Sequence, residues 1–97
     1  MIARVFQFDL RPGSLGDAVA TMNAEIVPAL GKIDGMSHCI VTHTSDDDSC
    51  MTTVIYRDQA AAEAAQEATQ RIWGAIGPYL AGPPTLAVKD VLLAHSK

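Results

Sequence analysis

The sequence predicts an α+β sandwich in which one four-stranded antiparallel sheet carries two helices on a single face. The first reason is the order of strand-like and helix-like segments, which is β-α-β-β-α-β over 97 residues. The second is that the strands are apolar on both faces, although no segment remains to cover the second face. Because a chain of this length builds one core, we expect a single domain over residues 1–97.

The first strand and the first helix are predicted around a turn. Met1–Leu10 alternates as a strand does, and the Arg-Pro-Gly sequence at residues 11–13 ends the strand. Ser14 is predicted to cap the helix, with Asp17 completing a capping-box-like pair. Pro28 predicts a kink or an early end of this helix. The predicted apolar stripe is Leu15, Ala18, Val19, Met22, Ile26, Leu30 and Ile33.

The middle of the chain is predicted to form a β-hairpin. Its strands are Ser37–Thr44 and Cys50–Arg57, both rich in β-branched residues, and its turn is Ser45–Ser49. His38 and His43 lie close to the aspartates of this turn, which raises the question of a metal site. Residues five apart on a strand point to opposite faces, so the two imidazoles cannot share an ion and we expect no metal.

The second half of the chain completes the sandwich. Asp58 is predicted to cap a helix that runs from Gln59 to about Ile76, where Gly77-Pro78 stops it. Thr85–Ala94 is predicted to be the fourth strand. These elements together give a ferredoxin-like arrangement of strands and helices.

The uncovered face of the sheet predicts a homodimer. The helices cover one face only, and a second copy of the chain is the simplest cover for the other. In the first strand, Ile2, Phe6, Phe8 and Leu10 point one way, while Ala3 and Val5 point the other. In the last strand, Leu86, Val88 and Leu92 share one face, and Ala87, Val91 and Leu93 share the opposite one.

Composition excludes several classes of partner. The net charge of −4 and the scattered seven Lys and Arg residues argue against nucleic acid and against an acidic membrane surface. No stretch is long and apolar enough for a membrane span, and the N-terminus does not resemble a signal peptide, so we expect a cytoplasmic protein. Cys39 and Cys50 have no C-x-x-C spacing and are expected to remain thiols.

Trp73 and Tyr79 are the principal candidates for a binding site. They flank the Gly77-Pro78 break and could line a helix–sheet pocket for a flat aromatic ligand, or equally be aromatic residues at the edge of the core. Met22 and Gln7 are secondary candidates.

Arg4 is another polar residue of the first strand and lies on the face opposite to Gln7. Either one of the two reaches a pocket and the other an interface, or they lie at a strand end in water. No catalytic residue, phosphate-binding loop or catalytic triad can be identified.

The chain resembles the antibiotic biosynthesis monooxygenase-like family of the dimeric α+β barrel superfamily over nearly its whole length. The resemblance depends on four features: the strand Ile2–Val5, the helix end Glu25–Leu30, the sequence Asp34-Gly35-Met36, and Tyr56 before an Ala/Glu-rich helix. It implies a homodimer formed sheet to sheet. It also implies oxidation of an aromatic substrate by molecular oxygen without a cofactor, or degradation of haem.

The resemblance also implies which residues would act. Cofactor-free members of the family use an Asn, a Trp and a Tyr; Trp73 and Tyr79 match the last two, whereas Thr69 stands at the Asn position. The haem-degrading pattern fits less well, since its strand Asn would fall near Gln7 and no histidine follows Trp73 in the helix. We therefore expect cofactor-independent oxidation of a small aromatic substrate.

A non-catalytic ligand-binding module is the alternative, and the sequence leaves open whether the protein is an enzyme. This module would be either a member of the same fold family without its chemistry or a relative of ACT domains. The segment Asp9–Leu15 is similar to the strand-to-helix turn of ACT domains, which bind amino acids.

Overall fold

The computed structural model describes residues 1–44 and 47–95, and its four strands form one antiparallel sheet. The strands are β1 (Ile2–Asp9), β2 (Met36–His43), β3 (Ser49–Tyr56) and β4 (Thr85–Asp90), in the spatial order β2-β3-β1-β4. This order confirms the predicted ferredoxin-like α+β fold. Residues 45 and 46 of the predicted turn lie outside the described residues.

Two helical segments pack on one face of the sheet. The first consists of α1 (Leu15–Thr21), a π-helical turn (Met22–Ile26) and α2 (Val27–Leu30). The second consists of α3 (Gln59–Trp73), followed directly by a 3₁₀ helix (Gly74–Tyr79).

The π turn is the main local irregularity of the fold. The Val27 N–H donates to the Met22 carbonyl, five residues back, and the helix continues past Pro28 to Leu30 rather than ending at the proline. Two causes favour a wide turn here. Proline has no N–H to donate, and the apolar residues recur every four positions rather than every 3.6. These apolar residues are Ala18, Met22, Ile26 and Leu30.

The two predicted helix caps have different outcomes. Asp58 caps α3 as expected, because its Oδ1 accepts a hydrogen bond of 2.8 Å from the Ala61 N–H. Ser14 stands at the start of α1, but its side chain makes no capping hydrogen bond. The turn bond from the Ser14 N–H to the Arg11 carbonyl, 3.0 Å, accompanies a helical backbone at Ser14 rather than the extended backbone of a side-chain cap.

Two predicted boundaries were too long. Helix α3 ends at Trp73 instead of about Ile76, and the 3₁₀ helix carries the chain through the Gly-Pro sequence at residues 77–78. Strand β4 ends at Asp90, which pairs with Ile2 at the beginning of β1. Beyond that pair the Val91 N–H still donates to the Met1 carbonyl at 3.2 Å, and Leu92 is 97% exposed.

Two apolar clusters fill the space between the helices and the sheet. The first contains Ile2, Val54, Tyr56, Ala61, Ala62 and Ala65. The second contains Phe8, Leu10, Ala18, Ile26, Cys50 and Ile76. Three buried polar residues, Arg4, Thr52 and Thr69, do not belong to either cluster.

The other face of the sheet carries no helix of the described chain. Its central cross-strand row is Ile40, Thr53, Val5 and Ala87, read from β2 to β4. Ile40 is 54% exposed there, and Met51 of the neighbouring row is also exposed. This face has an apolar centre, as the sequence predicts.

Candidate functional site

A cavity of about 280 Å³ lies between α3 and the sheet. The strands contribute Arg4, Phe6, Phe8 and Thr52, and α3 contributes Thr69 and Trp73. Leu86 of β4 lines the outer side and is 54% exposed, so the cavity opens towards that edge of the sheet. Ligand pockets typically have volumes of about 300–1,000 Å³, so this cavity lies just below that range and suits only a small molecule.

Three buried polar atoms around this cavity lack a hydrogen-bond partner among the described residues. They are Arg4 Nε, Thr52 Oγ1 and Trp73 Nε1. Most buried polar groups in folded proteins are hydrogen-bonded, because an unpaired buried group costs free energy. All three atoms belong to residues that line the cavity, so this part of the core combines apolar walls with polar groups that lack internal partners.

Arg4 is the most unusual of these residues. It is only 8% exposed, and the described residues offer it no ion pair. Its cross-strand neighbours are Val54 on β3 and Val88 on β4. Within residues 1–44 and 47–95, the contact that favours its charge is the ring of Tyr56, whose centroid lies 5.9 Å from the guanidinium carbon.

Tyr56, whose ring lies next to the Arg4 guanidinium, is a neutral residue of the adjoining core cluster. The residue is 1% exposed, and burial raises the pKa of its phenol. The hydroxyl of Thr69 and the charge of Arg4 act in the opposite direction. Because the net direction of the pKa shift is upward, Tyr56 remains protonated at neutral pH and cannot serve as a base there.

Thr69 occupies the position that the family resemblance associates with an Asn. Its hydroxyl lies 2.9 Å from the Ala65 carbonyl and 3.0 Å from the Gln66 carbonyl, so its proton is directed to the helix backbone. An asparagine amide would present both a donor and an acceptor to a ligand. Thr69 has only its oxygen lone pairs left for the cavity.

The structure places three of the predicted site residues in one region of the molecule. Trp73 lines the cavity, and it also lines a neighbouring groove of about 290 Å³ together with Met22. Tyr79 packs against the same core cluster, where its hydroxyl accepts a 3.4 Å hydrogen bond from Thr21. Trp73 therefore contacts the cavity directly, whereas Met22 and Tyr79 are not among its lining residues.

Gln7 lies on the opposite face of the sheet. Its amide nitrogen is 4.0 Å from Met51 Sδ, and its side chain is exposed. Of Arg4 and Gln7, Arg4 is the one that reaches the cavity, and sequence reasoning had not chosen between them. The available signal was strand parity, since Arg4 shares a face with Phe6 and Phe8, which were already assigned to one face.

The described lining of the cavity contains no carboxylate, imidazole or thiol. Cys39 and Cys50 lie elsewhere and are free, and burial raises the pKa of both thiols, which disfavours the nucleophilic thiolate. Among residues 1–44 and 47–95, no three His, Cys, Asp or Glu side chains gather as metal ligands would. No helix in this part of the chain is long and apolar enough to cross a membrane.

Comparison with known proteins supports the fold. No protein-family model matches the sequence, and no curated protein matches it. Among solved structures, Rv0793 from Mycobacterium tuberculosis is similar at 21% identity and a TM-score of 0.74, covering 98% of each chain.

Two further similar structures carry a functional name. A Nitrosomonas europaea protein provisionally named an antibiotic biosynthesis monooxygenase has 14% identity and a TM-score of 0.79, over 96% of this chain and 100% of that one. A Bordetella bronchiseptica protein with the same provisional name has 17% identity and a TM-score of 0.77, over 95% and 97%. At such identities the likeness shows a shared fold over nearly the whole chain, which confirms the monooxygenase-like resemblance at the level of architecture.

Proposed function

We propose that the protein is a monooxygenase-like enzyme that oxidises a small aromatic substrate in the cavity beneath α3 without a cofactor. The observation that carries this proposal is the cavity itself, which combines aromatic walls, Phe6, Phe8 and Trp73, with unpartnered buried polar atoms. Pockets that bind aromatic ligands have this combination of apolar surface and a few polar groups. The provisional names of the similar structures support the same activity class.

The chemistry would depend on the substrate more than on the protein. An activated CH₂ group would lose a proton, the resulting carbanion would pass electrons to O₂, and the carbon would become a carbonyl. One oxygen atom enters the product and the other leaves as water with the two hydrogens of the CH₂ group. Because the described lining supplies no base, the substrate must be acidic enough to release its proton to solvent. The protein would orient the anion and exclude water from it.

The experiment combines ligand binding with oxygen uptake. Trp73 is the only tryptophan, so fluorescence quenching by flat phenols reports on one site. We expect saturable quenching with a dissociation constant in roughly the micromolar to millimolar range. An oxygen electrode should then record consumption that follows the same saturation curve. No saturable response would mean that Trp73 is a packing residue and would overturn the proposal.

Two variants test the residues assigned from the sequence. Met22 and Tyr79 are proposed to hold the indole of Trp73 in place from behind. Tyr79→Phe would weaken binding by about 0.5–1.5 kcal/mol if its hydroxyl bonds the ligand. A negligible change would instead restrict its role to the contact with Thr21. Gln7→Ala, on the opposite face of the sheet, is the matched control for a predicted residue away from the cavity.

A non-catalytic binding module is the second candidate, and Thr69 at the Asn position favours it because the hydroxyl proton is already committed to the helix. Binding of aromatic ligands without oxygen uptake would establish this alternative. A thermal-shift panel of amino acids tests the ACT-like form, since a ligand that binds only the folded state raises its stability.

The proposed enzyme is a homodimer in the cytoplasm. The sheet face centred on Ile40 and Val5 would form the interface, since its apolar centre has no cover within the described chain. Free cysteines are consistent with a reducing compartment. Light scattering at micromolar concentration should give twice the mass of one chain, and the mass of one chain would overturn this assembly.

A further inference from the structure

We propose that Arg4 is an anion-binding residue and that the cavity takes an aromatic ligand in its ionised form. The ligand class is a flat aromatic molecule with one anionic oxygen, either a carboxylate or a phenolate, which pairs with the guanidinium. This inference rests on the proposed function in taking the cavity as the ligand site. It deepens that function by naming the charge of the ligand and the residue that selects it.

The burial of Arg4 is the first step. A charged side chain that is 8% exposed, with no ion pair among the described residues, carries a large desolvation cost. Its cross-strand neighbours, Val54 and Val88, show that apolar residues suit this row of the sheet. The ring of Tyr56 compensates the charge only in part, because its centroid is 5.9 Å away.

The chemistry of the unpartnered atoms is the second step. The Arg4 Nε–H and the Trp73 indole N–H are donors only, and the Thr52 hydroxyl donates as readily as it accepts. A neutral hydrocarbon in the cavity would leave these groups unsatisfied. An oxygen anion accepts hydrogen bonds and carries the charge opposite to that of the Arg4 guanidinium, which lines the cavity, so an anionic ligand fits this residue.

The absence of a base is the third step. The described lining holds a cation but no carboxylate or imidazole. A nearby positive charge lowers the pKa of an acidic ligand, so Arg4 would favour the form in which the ligand oxygen is deprotonated; the loss of the CH₂ proton in the proposed oxidation is a separate step. The cavity would thus promote ionisation of the substrate by charge stabilisation, while the proton leaves to solvent.

A pair of ligands with one shape and different charge provides the direct test. Trp73 fluorescence titrations would compare 2-naphthoate with 2-naphthamide. We expect naphthoate to bind about 10- to 100-fold more tightly, as for a hydrogen-bonded charge pair. Arg4→Met should remove most of this preference. Arg71→Met, which changes an exposed arginine on the same helix as Trp73, should leave it unchanged.

A titration with a phenol tests whether the anionic oxygen of the ligand is a phenolate rather than a carboxylate. The phenolate of 4-nitrophenol is yellow and the phenol is colourless, so protein that stabilises the phenolate would increase the yellow absorbance at a pH slightly below the pKa of the free compound. The groups facing Arg4 do not interfere: Tyr56 stays neutral because burial raises its pKa, and the α3 residues Gln66 and Thr69 carry no charge. Increased yellow colour without a naphthoate preference would identify phenolate as the ligand class.

Melting temperatures make the variant interpretable. Unliganded Arg4→Met should melt no lower than the wild-type chain, because it replaces an unpaired buried charge by an apolar side chain. If Arg4→Met does not fold, Arg4→Gln and the comparison of the two naphthalene ligands on the wild-type protein still decide the matter. Equal binding of naphthoate and naphthamide, without a colour change of nitrophenol, would overturn the inference.

Failure of this inference is distinguishable from failure of the proposed oxidation. A charge preference without oxygen uptake would leave Arg4 as an anion-binding residue in a non-catalytic protein. Oxygen uptake with neutral aromatic substrates and no charge preference would retain the enzyme and remove this role of Arg4.

Discussion

The two halves of α3 meet the sheet in different ways. In the first half, Ala61, Ala62 and Ala65 are buried against the strands and leave the helix close to them. In the second half, Thr69 and Trp73 stand over a cavity of about 280 Å³. One regular helix therefore packs tightly at one end and leaves a ligand-sized space at the other. The size of the side chains on its inner face accounts for the difference.

Polarity follows the same division. The tightly packed half covers an apolar cluster, whereas the open half faces three polar atoms without partners in the described chain. Unsatisfied polar groups and empty space both reduce stability. We infer that the first half of α3 contributes more to the free energy of unfolding than the second half, which borders the cavity and the unpaired polar atoms.

The largest effect on stability is expected at Gly35, where the chain comes very close to α3. This residue has φ +81°, and a Cβ placed there would lie 2.6 Å from the Cβ of Ala61. Gly35→Ala should lower the free energy of unfolding by about 2–5 kcal/mol, from backbone strain and overpacking together. Chemical denaturation measures the loss. Gly74→Ala, where nothing lies within 4 Å, is the control, and equal losses at both sites would contradict the close approach.

The second comparison uses two valines that flank Arg4 in the same cross-strand row. Val54 on the packed side is 1% exposed, and Val88 on the open side is 53% exposed. Val54→Ala should lower the free energy of unfolding by about 1.5–3 kcal/mol, and Val88→Ala by less than about 1 kcal/mol. Denaturant titration of both variants is the measurement. Similar losses would indicate that a second chain covers the edge of the sheet at β4.

Sequence patterns predicted the packed half better than the open half. Strand alternation and Asp58 as a helix cap follow from local rules, which act over a few residues. The cavity depends on how far the helix stands from the sheet, which no local pattern contains. Arg4 shows the limit well: its face could be assigned by parity, but its lack of a counter-ion could be recognised only once its neighbours were known.

Two other differences between prediction and structure are the end of β4, which depends on pairing with β1, and the π turn before Pro28, which depends on local spacing. β4 was predicted to continue to Ala94, since its apolar residues alternate, whereas the strand ends at Asp90, which pairs with Ile2 of β1. The π turn before Pro28 was recognisable from the four-residue spacing of apolar residues, which exceeds an α-helical turn.

A smaller effect, in the stabilising direction, is expected at Thr52. Its hydroxyl is buried without a partner, so Thr52→Val removes an unsatisfied group at nearly constant volume and should raise the free energy of unfolding by about 1 kcal/mol. Thr69→Val should change it little, because the Thr69 hydroxyl is already hydrogen-bonded to the helix. Denaturation of the unliganded proteins measures both. A lower free energy of unfolding for Thr52→Val would mean that the Thr52 hydroxyl has a hydrogen-bond partner. The second half of α3 would then face fewer unpaired polar atoms than the contacts indicate.

The smallest effect concerns the cap at which the packed half of α3 begins. The hydrogen bond from the Ala61 N–H lowers the pKa of Asp58 below its ordinary value. A lowered folded-state pKa stabilises the protein above the unfolded-state value of about 3.9 and loses this contribution as the pH falls through the folded-state value. Asp58→Ala should therefore lower the melting temperature by a few degrees at pH 7 and by much less at pH 3.

The matched control for this cap is Ser14 at the start of α1, whose side chain makes no capping hydrogen bond. Ser14→Ala should leave the melting temperature nearly unchanged at either pH. Asp58→Asn keeps an acceptor for the Ala61 N–H without the titrating charge, so its difference from Asp58→Ala should not depend on pH. A gap between the wild type and Asp58→Ala that stays constant from pH 7 to pH 3 would show that the charge of the cap contributes nothing, and that only the hydrogen bond anchors the packed end of the helix.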